Sequence, residues 1–297
     1  MTSSAGVLLD QASAARLLPE RDPRGHKGTF GRVVMVAGSL DYAGAALMAG
    51  AAALRAGSGL VTIALPASLQ PSVAGRVPEL ITFGLPELAP YEVDAGEAAA
   101  DLAKMPADAL LLGPGLKPGR GTTRLVQSLL STEGAPSVVD AGALGALSTL
   151  PGWWRRLVRP AILTPHAGEF ARLGREPGGS DRSRREAAIG AARDWQVVVV
   201  LKGAYTVIAD ADGRVVTAPF EVPALASGGS GDILAGVITS LLGQGLRPFE
   251  AAALGVYLHA RAGELATLEL GDAGLMATDL LPLLPRVRRA LARGRDT

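Results

Sequence analysis

Val197-Val198-Val199-Val200-Leu201 runs directly into Lys202-Gly203-Ala204-Tyr205-Thr206. Five successive apolar residues without polar alternation make a strand covered on both faces, the pattern of a parallel sheet rather than a half-exposed antiparallel one. The same punctuation recurs upstream. Residues 33–36, 60–65, 109–112, 137–140 and 161–164 read as strands, and helical patterns at 43–56 and from Ser180 or Asp181 to about Trp195 lie between them. Strand–helix alternation of this kind predicts an α/β protein: a mostly parallel central sheet with helices on both faces, α/β/α. Downstream, Asp212-Gly213 reads as the turn of a hairpin joining 205–209 to 214–218, so some antiparallel strands are expected at one end of the sheet. Residues 1–25 read as a mobile lead-in with a short amphipathic piece around Leu8 to Leu18. Residues 26–285 read as one domain, and 286–297 as a basic C-terminal tail.

Composition narrows the function classes. At 297 residues, 48% apolar and 19% charged, the chain can bury a large core. A net charge of +1 gives no electrostatic reason to expect nucleic acid or membrane as a partner. Zero cysteines exclude disulfides, thiolate catalysis and sulfur-ligated metals, and three histidines make a histidine-built zinc site a poor expectation. No apolar run approaches membrane-spanning length and no export signal opens the chain, so a soluble cytoplasmic protein is expected. The arginines from Arg286 onward carry no interleaved aromatics, and read as a solvated tail rather than an RNA contact.

Chemistry concentrates in Ala226-Ser227-Gly228-Gly229-Ser230-Gly231-Asp232, which leads into a helical pattern of Ile233, Leu234, Val237, Ile238, Leu241 and Leu242. A glycine-rich turn entering a helix leaves N–H groups unpaired at the positive end of the helix dipole, an anion site for which phosphate is the usual ligand. The anion hole is therefore read as Gly228, Gly229, Ser230 and Gly231. Asp232, in the first turn, is placed to accept the proton of an attacking hydroxyl in phosphoryl transfer. The plain alternative is a tight turn with an acidic residue that the dipole favours anyway. No Gly-Lys-Ser/Thr follows, so this is not a Walker loop, and its position late in the chain disfavours a dinucleotide fingerprint.

Other strand ends contribute polar groups. Lys202 closes a buried strand where an ammonium would suit phosphate, and Gly113-Pro114-Gly115 permits close backbone approach to a flat ligand or is a stiff turn. Thr164-Pro165-His166-Ala167-Gly168-Glu169 puts a histidine and a carboxylate just past a strand. Glu169 would hold a divalent cation, directly or through water, or cap the short helix that follows. Strand carboxyl ends gather sites in such sheets, which places Asp41, Gly115, Asp140, His166, Lys202 and Asp232 on one rim.

Taken with Lys27-Gly28-Thr29-Phe30-Gly31, Gly44-Ala45-Ala46, Ala53-Leu54-Arg55-Ala56-Gly57 and Leu112-Gly113-Pro114-Gly115-Leu116, these motifs resemble the NAD(P)H-hydrate dehydratases of the ribokinase-like superfamily. The likeness covers residues 26–285. It implies a lyase that repairs hydrated NADH and NADPH, with ADP as phosphoryl donor, AMP as product and Mg2+ as cofactor. It also implies that Asp232 is the base and that Ala45, Gly115, His166 and Asp232 line the hydrate site. Lys202, Gly203, Ala204, Tyr205, Thr206 and Gly231 would hold the AMP portion. A homotetramer is implied, and an epimerase activity supplied by another chain. Kinases of the superfamily tend to carry Asn where this chain has His166. The family's frequent Asp-Ala-Asp is here Asp140-Ala141-Gly142, which leaves any role of a second carboxylate in question. A kinase of a small alcohol, such as a thiazole or pyrimidine vitamin precursor, and a non-catalytic ADP sensor share the same loop and stay open as alternatives.

Overall fold

The computed structural model describes residues 7–294. In chain order the strands are β1 Val7–Leu8, β2 Arg32–Val36, β3 Leu60–Pro66, β4 Ile81–Leu85, β5 Glu87–Ala89, β6 Glu92–Val93, β7 Ala109–Leu112, β8 Ser137–Val139, β9 Ala161–Leu163, β10 Val198–Leu201, β11 Val207–Ala209 and β12 Val215–Thr217. The helices are α1 Gln11–Leu17, α2 Ala43–Ala56, α3 Gln70–Val73, α4 Ala95–Ala103, α5 Arg120–Leu130, α6 Ala141–Ser148, α7 Ala167–Arg172, α8 Asp181–Trp195, α9 Ser230–Gly243, α10 Pro248–Leu270 and α11 Leu284–Arg293.

Ten strands form one sheet in the order β1-β12-β11-β10-β9-β8-β7-β2-β3-β4, and β5 pairs with β6 apart from it. Neighbours in the large sheet are parallel except around β11, which runs against β10 and β12. The expected antiparallel hairpin is thus present, and Gly213 takes its left-handed turn position at φ +89°. Side chains alternate across the strands. Val33, Met35, Ile63, Leu111, Ile162 and Val200 face a layer containing α1, α2, α9, α10 and α11, whereas Val34, Val36, Leu110, Leu112, Leu163 and Leu201 face α4 to α8. Both faces are covered, which is why these strands read as uninterrupted apolar runs.

Small residues let α2 and α9 approach closely. A Cβ on Gly236 would lie 2.2 Å from the Ala49 carbonyl oxygen, and one on Gly255 of α10 would lie 2.5 Å from Ile238 of α9. The alanines of α2 and α10 are therefore largely spent on packing inside the fold.

Two segments depart from the sequence reading. Within the expected lead-in, β1 adds to β12, and Leu9, Ala14, Ala15 and Leu18 are buried under α10 and α11; residues 1–6 lie outside the described residues. The expected basic tail forms α11, because Leu284, Val287 and Leu291 make an apolar stripe between its arginines. Arg288 donates to the Ala56 carbonyl at 2.7 Å and so supports the C-terminal end of α2. Residues 295–297 lie outside the described residues. Among those described, no helix is long and apolar enough to cross a membrane.

The strand order reverses between β2 and β7: β3 and β4 lead outward on one side, β8, β9 and β10 on the other. Such a switch point opens a crevice at the carboxyl ends of the strands. Here the loops after β2 and β7 meet, with the Gly38 N–H donating to the Pro114 carbonyl at 2.7 Å.

Candidate active site

The glycine loop lies between two groups of residues. On one side, a Cβ on Gly229 would sit 2.5 Å from Met48 of α2; on the other, a Cβ on Gly231 would sit 3.4 Å from the Lys202 Nζ. Gly229 adopts φ +93°, which any side chain would strain, and no side chain caps α9. Among the described residues, the N–H groups of Gly229, Gly231 and Asp232 have no hydrogen-bond acceptor. The Ser230 N–H is different: it turns back to the Ser227 carbonyl at 3.3 Å. Of the four residues expected to form an anion hole, Gly228, Gly229 and Gly231 thus keep free N–H groups, as does Asp232, whereas the Ser230 N–H is engaged.

Beyond Lys202 a cavity of about 750 Å³ opens, lined among others by His166, Lys202, Gly203, Ala204, Thr206 and Gly231. Val222, Leu225, Leu234 and Val256 give it an apolar wall. Its size and mixed lining suit a nucleotide. Most residues expected to hold a nucleotide therefore share one cavity. Tyr205 stands outside its lining, its hydroxyl pushed up by Glu221, which itself lines it.

Lys202 is the hub of the charged groups. β9 and β10 continue their pairing past their ends, with the Lys202 N–H donating to Pro165 at 2.9 Å, and this carries the side chain to the rim. Its Nζ lies 2.9 Å from Asp140 and 3.7 Å from Glu169. Asp140 is 1% exposed and also accepts from Thr164 Oγ1 at 2.8 Å. Burial pulls the Lys202 ammonium down, but Asp140, Glu169 and Asp232 more than offset it, so the group stays charged. Asp232 is pushed up to about 6, first by burial and then by Asp140, against the downward pull of Lys202. A carboxylate so tuned is ionised at neutral pH yet binds a proton more readily than an ordinary aspartate, which suits a general base.

His166 is the N-cap of α7. Its Nδ1 accepts from the N–H groups of Gly168 at 3.0 Å and Glu169 at 3.3 Å, so in the neutral ring Nε2 carries the proton, 3.6 Å from Glu169 Oε2. Glu169 completes a capping box, its Oε2 accepting from the His166 N–H at 2.9 Å. Of its two expected roles, cation ligand or cap, the cap is the one in place: the carboxylate is 6% exposed and engaged by the capping box and by Lys202. Among the described residues no three His, Cys, Asp or Glu converge as a metal cage.

Ala45 and Gly115 meet on the Met48 side of the loop, where a Cβ on Gly115 would lie 3.0 Å from the Ala45 Cβ and 2.4 Å from the Tyr42 carbonyl oxygen. His166, expected to line the hydrate site with them, stands on the other side of the loop in the wall of the cavity beyond Lys202. Asp41 pairs with Lys117 at 3.0 Å on the surface. Gly142 has a physical reason: a Cβ there would lie 2.3 Å from the Leu116 carbonyl oxygen, so the loop after β7 occupies the space a carboxylate would need. Ala141 just before it is held at φ +46°, a left-handed strain next to Asp140. Sequence reasoning missed two polar groups. Ser39 and Ser227 have buried hydroxyls without partners, after β2 and in the glycine loop, positions where buried hydroxyls ordinarily await a ligand or water.

Comparison with known proteins agrees with this geometry. The profile of the NAD(P)H-hydrate dehydratase family matches residues 33–286. The ADP-dependent (S)-NAD(P)H-hydrate dehydratase of Xanthomonas campestris is 38% identical over 95% of this chain and 96% of its own length. The bifunctional NAD(P)H-hydrate repair enzyme of Moorella thermoacetica is 45% identical over 98% of this chain, which spans 55% of that longer protein. Among solved structures, the Bacillus subtilis ADP/ATP-dependent NAD(P)H-hydrate dehydratase co-crystallised with ATP and Mg2+ superposes with a TM-score of 0.84 at 34% identity, covering 97% of this chain and all of that one. The α/β/α sheet is ribokinase-like, and with the profile running from β2 into α11 the chain belongs to the NAD(P)H-hydrate dehydratase family.

Proposed function

We propose that the chain restores NADH and NADPH whose nicotinamide ring has taken up water, consuming ADP and releasing AMP and phosphate. The observation that carries this reading is the loop itself: free N–H groups adjoin Asp232, raised to about 6 and coupled to the charge of Lys202, while Lys202 and Gly231 line the cavity. Hydroxide is a poor leaving group, so the ring hydroxyl needs activation. Its oxygen attacks the β-phosphorus of ADP, the bond to the bridging oxygen breaks, and AMP departs. Asp232 accepts the hydroxyl proton, a contribution of roughly 10²- to 10⁴-fold. The N–H groups of Gly229 and Gly231 stabilise the moving phosphoryl, each worth roughly 10²- to 10³-fold. The ring nitrogen's lone pair then expels phosphate, and loss of a ring proton restores the dihydronicotinamide.

In this reading the AMP portion lies in the cavity beyond Lys202, and the hydrate enters over Ala45 and Gly115. The donor set fits a magnesium ion arriving on the nucleotide, because that ion keeps its waters, takes phosphate oxygens and needs only one or two carboxylates. Glu169, whose contacts all run through Oε2, would meet its water shell with Oε1; when bound, the ion neutralises charge on the phosphates. A cytoplasmic homotetramer is the expected setting. Exposed Ile81, Leu88 and Tyr91, around β4 and the β5–β6 hairpin, are apolar groups that such an assembly would cover. A small-alcohol kinase would share the loop, and a sensor would need no tuned base.

The test is direct. Purified protein is mixed with NADH hydrate, Mg2+ and ADP, and absorbance at the NADH band is followed beside AMP release. Recovery with one AMP per NADH supports the proposal. ATP consumption on a vitamin precursor without recovery supports the kinase, and nucleotide binding without turnover supports the sensor.

A further inference from the structure

Ser230 and His259 are polar groups in the cavity wall that the mechanism above leaves unused. Ser230 opens α9, and its N–H is already committed to the Ser227 carbonyl. Its Oγ lies 3.1 Å from Nε2 of His259, which projects from the middle of α10. Ser230 is 4% and His259 7% exposed. Burial holds the His259 ring down to about 4, so at neutral pH it is uncharged.

A neutral imidazole has one N–H and one lone pair, and the one facing Ser230 decides what the hydroxyl offers the cavity. With the proton on Nε2, the nitrogen facing Ser230, Oγ accepts it and the hydroxyl's own proton must find another acceptor. Among the described residues no second group lies within hydrogen-bond distance of Oγ, and the cavity is on that side.

We propose that His259 is a positioning residue that makes the Ser230 hydroxyl a further donor of the anion hole, aimed at a phosphate oxygen of a nucleoside diphosphate beside the N–H groups of Gly231 and Asp232. This rests on the nucleotide occupying the cavity, as in the function proposed above. With the opposite tautomer the hydroxyl would donate to the ring and turn only lone pairs toward phosphate, so an attraction would become a repulsion.

The experiment is calorimetric titration of the full chain with ADP and Mg2+, alongside imidazole ¹⁵N NMR of the wild type at pH 7. Ser230→Ala removes the hydroxyl, His259→Leu removes the ring donor at similar volume, and His259→Gln restores an N–H near the Nε2 position. Losing a hydrogen bond to a charged group predicts a rise in the ADP Kd of roughly ten- to a hundred-fold for Ser230→Ala and for His259→Leu. His259→Gln should recover most of it, and the double variant Ser230→Ala/His259→Leu should lose no more than either alone. NMR should show the Nε2–H tautomer. Wild-type affinity in Ser230→Ala, losses that multiply in the double variant, or an Nδ1–H tautomer would each overturn the proposal. Should His259→Leu fail to fold, Ser230→Ala and the NMR measurement decide. Failure of the wild type to bind ADP would sink the nucleotide reading itself, and this inference with it.

Discussion

Asn at position 232 would remove a carboxylate that the fold holds against its own solvation. Burial and the negative charge of Asp140 raise Asp232 from 3.8 to about 6, even with Lys202 opposing them. Each tenfold change in proton affinity is about 1.4 kcal/mol, so the ionised form costs the folded state about 2–3 kcal/mol relative to the unfolded chain. Because the folded value is raised, the stability Asp232 contributes is fully present below 3.8, where both states are protonated, and is lost as pH rises through about 6. An Asn amide imitates the protonated acid at every pH. Asp232→Asn should therefore be more stable than the wild type by about 2–3 kcal/mol at pH 8, and the advantage should shrink through pH 6 and vanish near pH 4. Turnover should fall by roughly 10²- to 10⁴-fold while ADP affinity stays close to normal. Urea unfolding followed by tryptophan fluorescence reads this well, because Trp153 and Trp195 pack with ring centroids 5.2 Å apart in the core. A wild type more stable than the variant at pH 8, or a difference that does not change with pH, would refute the argument.

The acid limb of kcat/KM should fall near pH 6, close to an ordinary histidine, yet belong to Asp232. His166→Ala should raise KM for the hydrate and leave that limb in place; a displaced limb would reassign it to His166. Lys202→Met removes the charge that pulls Asp232 down, so the limb should move upward and ADP affinity should drop at least about tenfold; an unmoved limb would contradict the charge coupling. Gly142→Asp forces a side chain against the Leu116 carbonyl and should cost about 1–3 kcal/mol in urea unfolding. Wild-type stability there would show that the loop after β7 can move aside.

The fold was legible wherever one stretch of chain carries the whole signal. Doubly covered strands such as β10 announce themselves as unbroken apolar runs, α2 begins and ends as its alanine pattern and Gly57 indicate, and α8 starts where Ser180 caps it. What escaped depends on partners far away in sequence. β1 has two residues, too few for a period, and its partner β12 is some two hundred residues on. In α11 the stripe of Leu284, Val287 and Leu291 was present but masked by arginines. The site follows the same division. Asp232, Lys202 and the glycine loop stand at element ends, where backbone chemistry is readable from the local sequence. Asp140 was visible as a strand-end acid, but not as the partner of Lys202. His259 lies in the middle of a buried helix, and only the packing of α10 on α9 brings it to Ser230. Glu169 could be read as metal ligand or cap, and its spacing from His166 fits the capping box the structure contains.

The central claim is that the ring hydroxyl is phosphorylated before it leaves. NADH hydrate carrying ¹⁸O in that hydroxyl, turned over with ADP and Mg2+, tests it through the mass of the phosphate released. The account predicts one ¹⁸O in each phosphate formed, with AMP and NADH in equal amounts. Label found in water, with unlabelled phosphate, would show that the hydroxyl departs on its own and that ADP cleavage is a separate event.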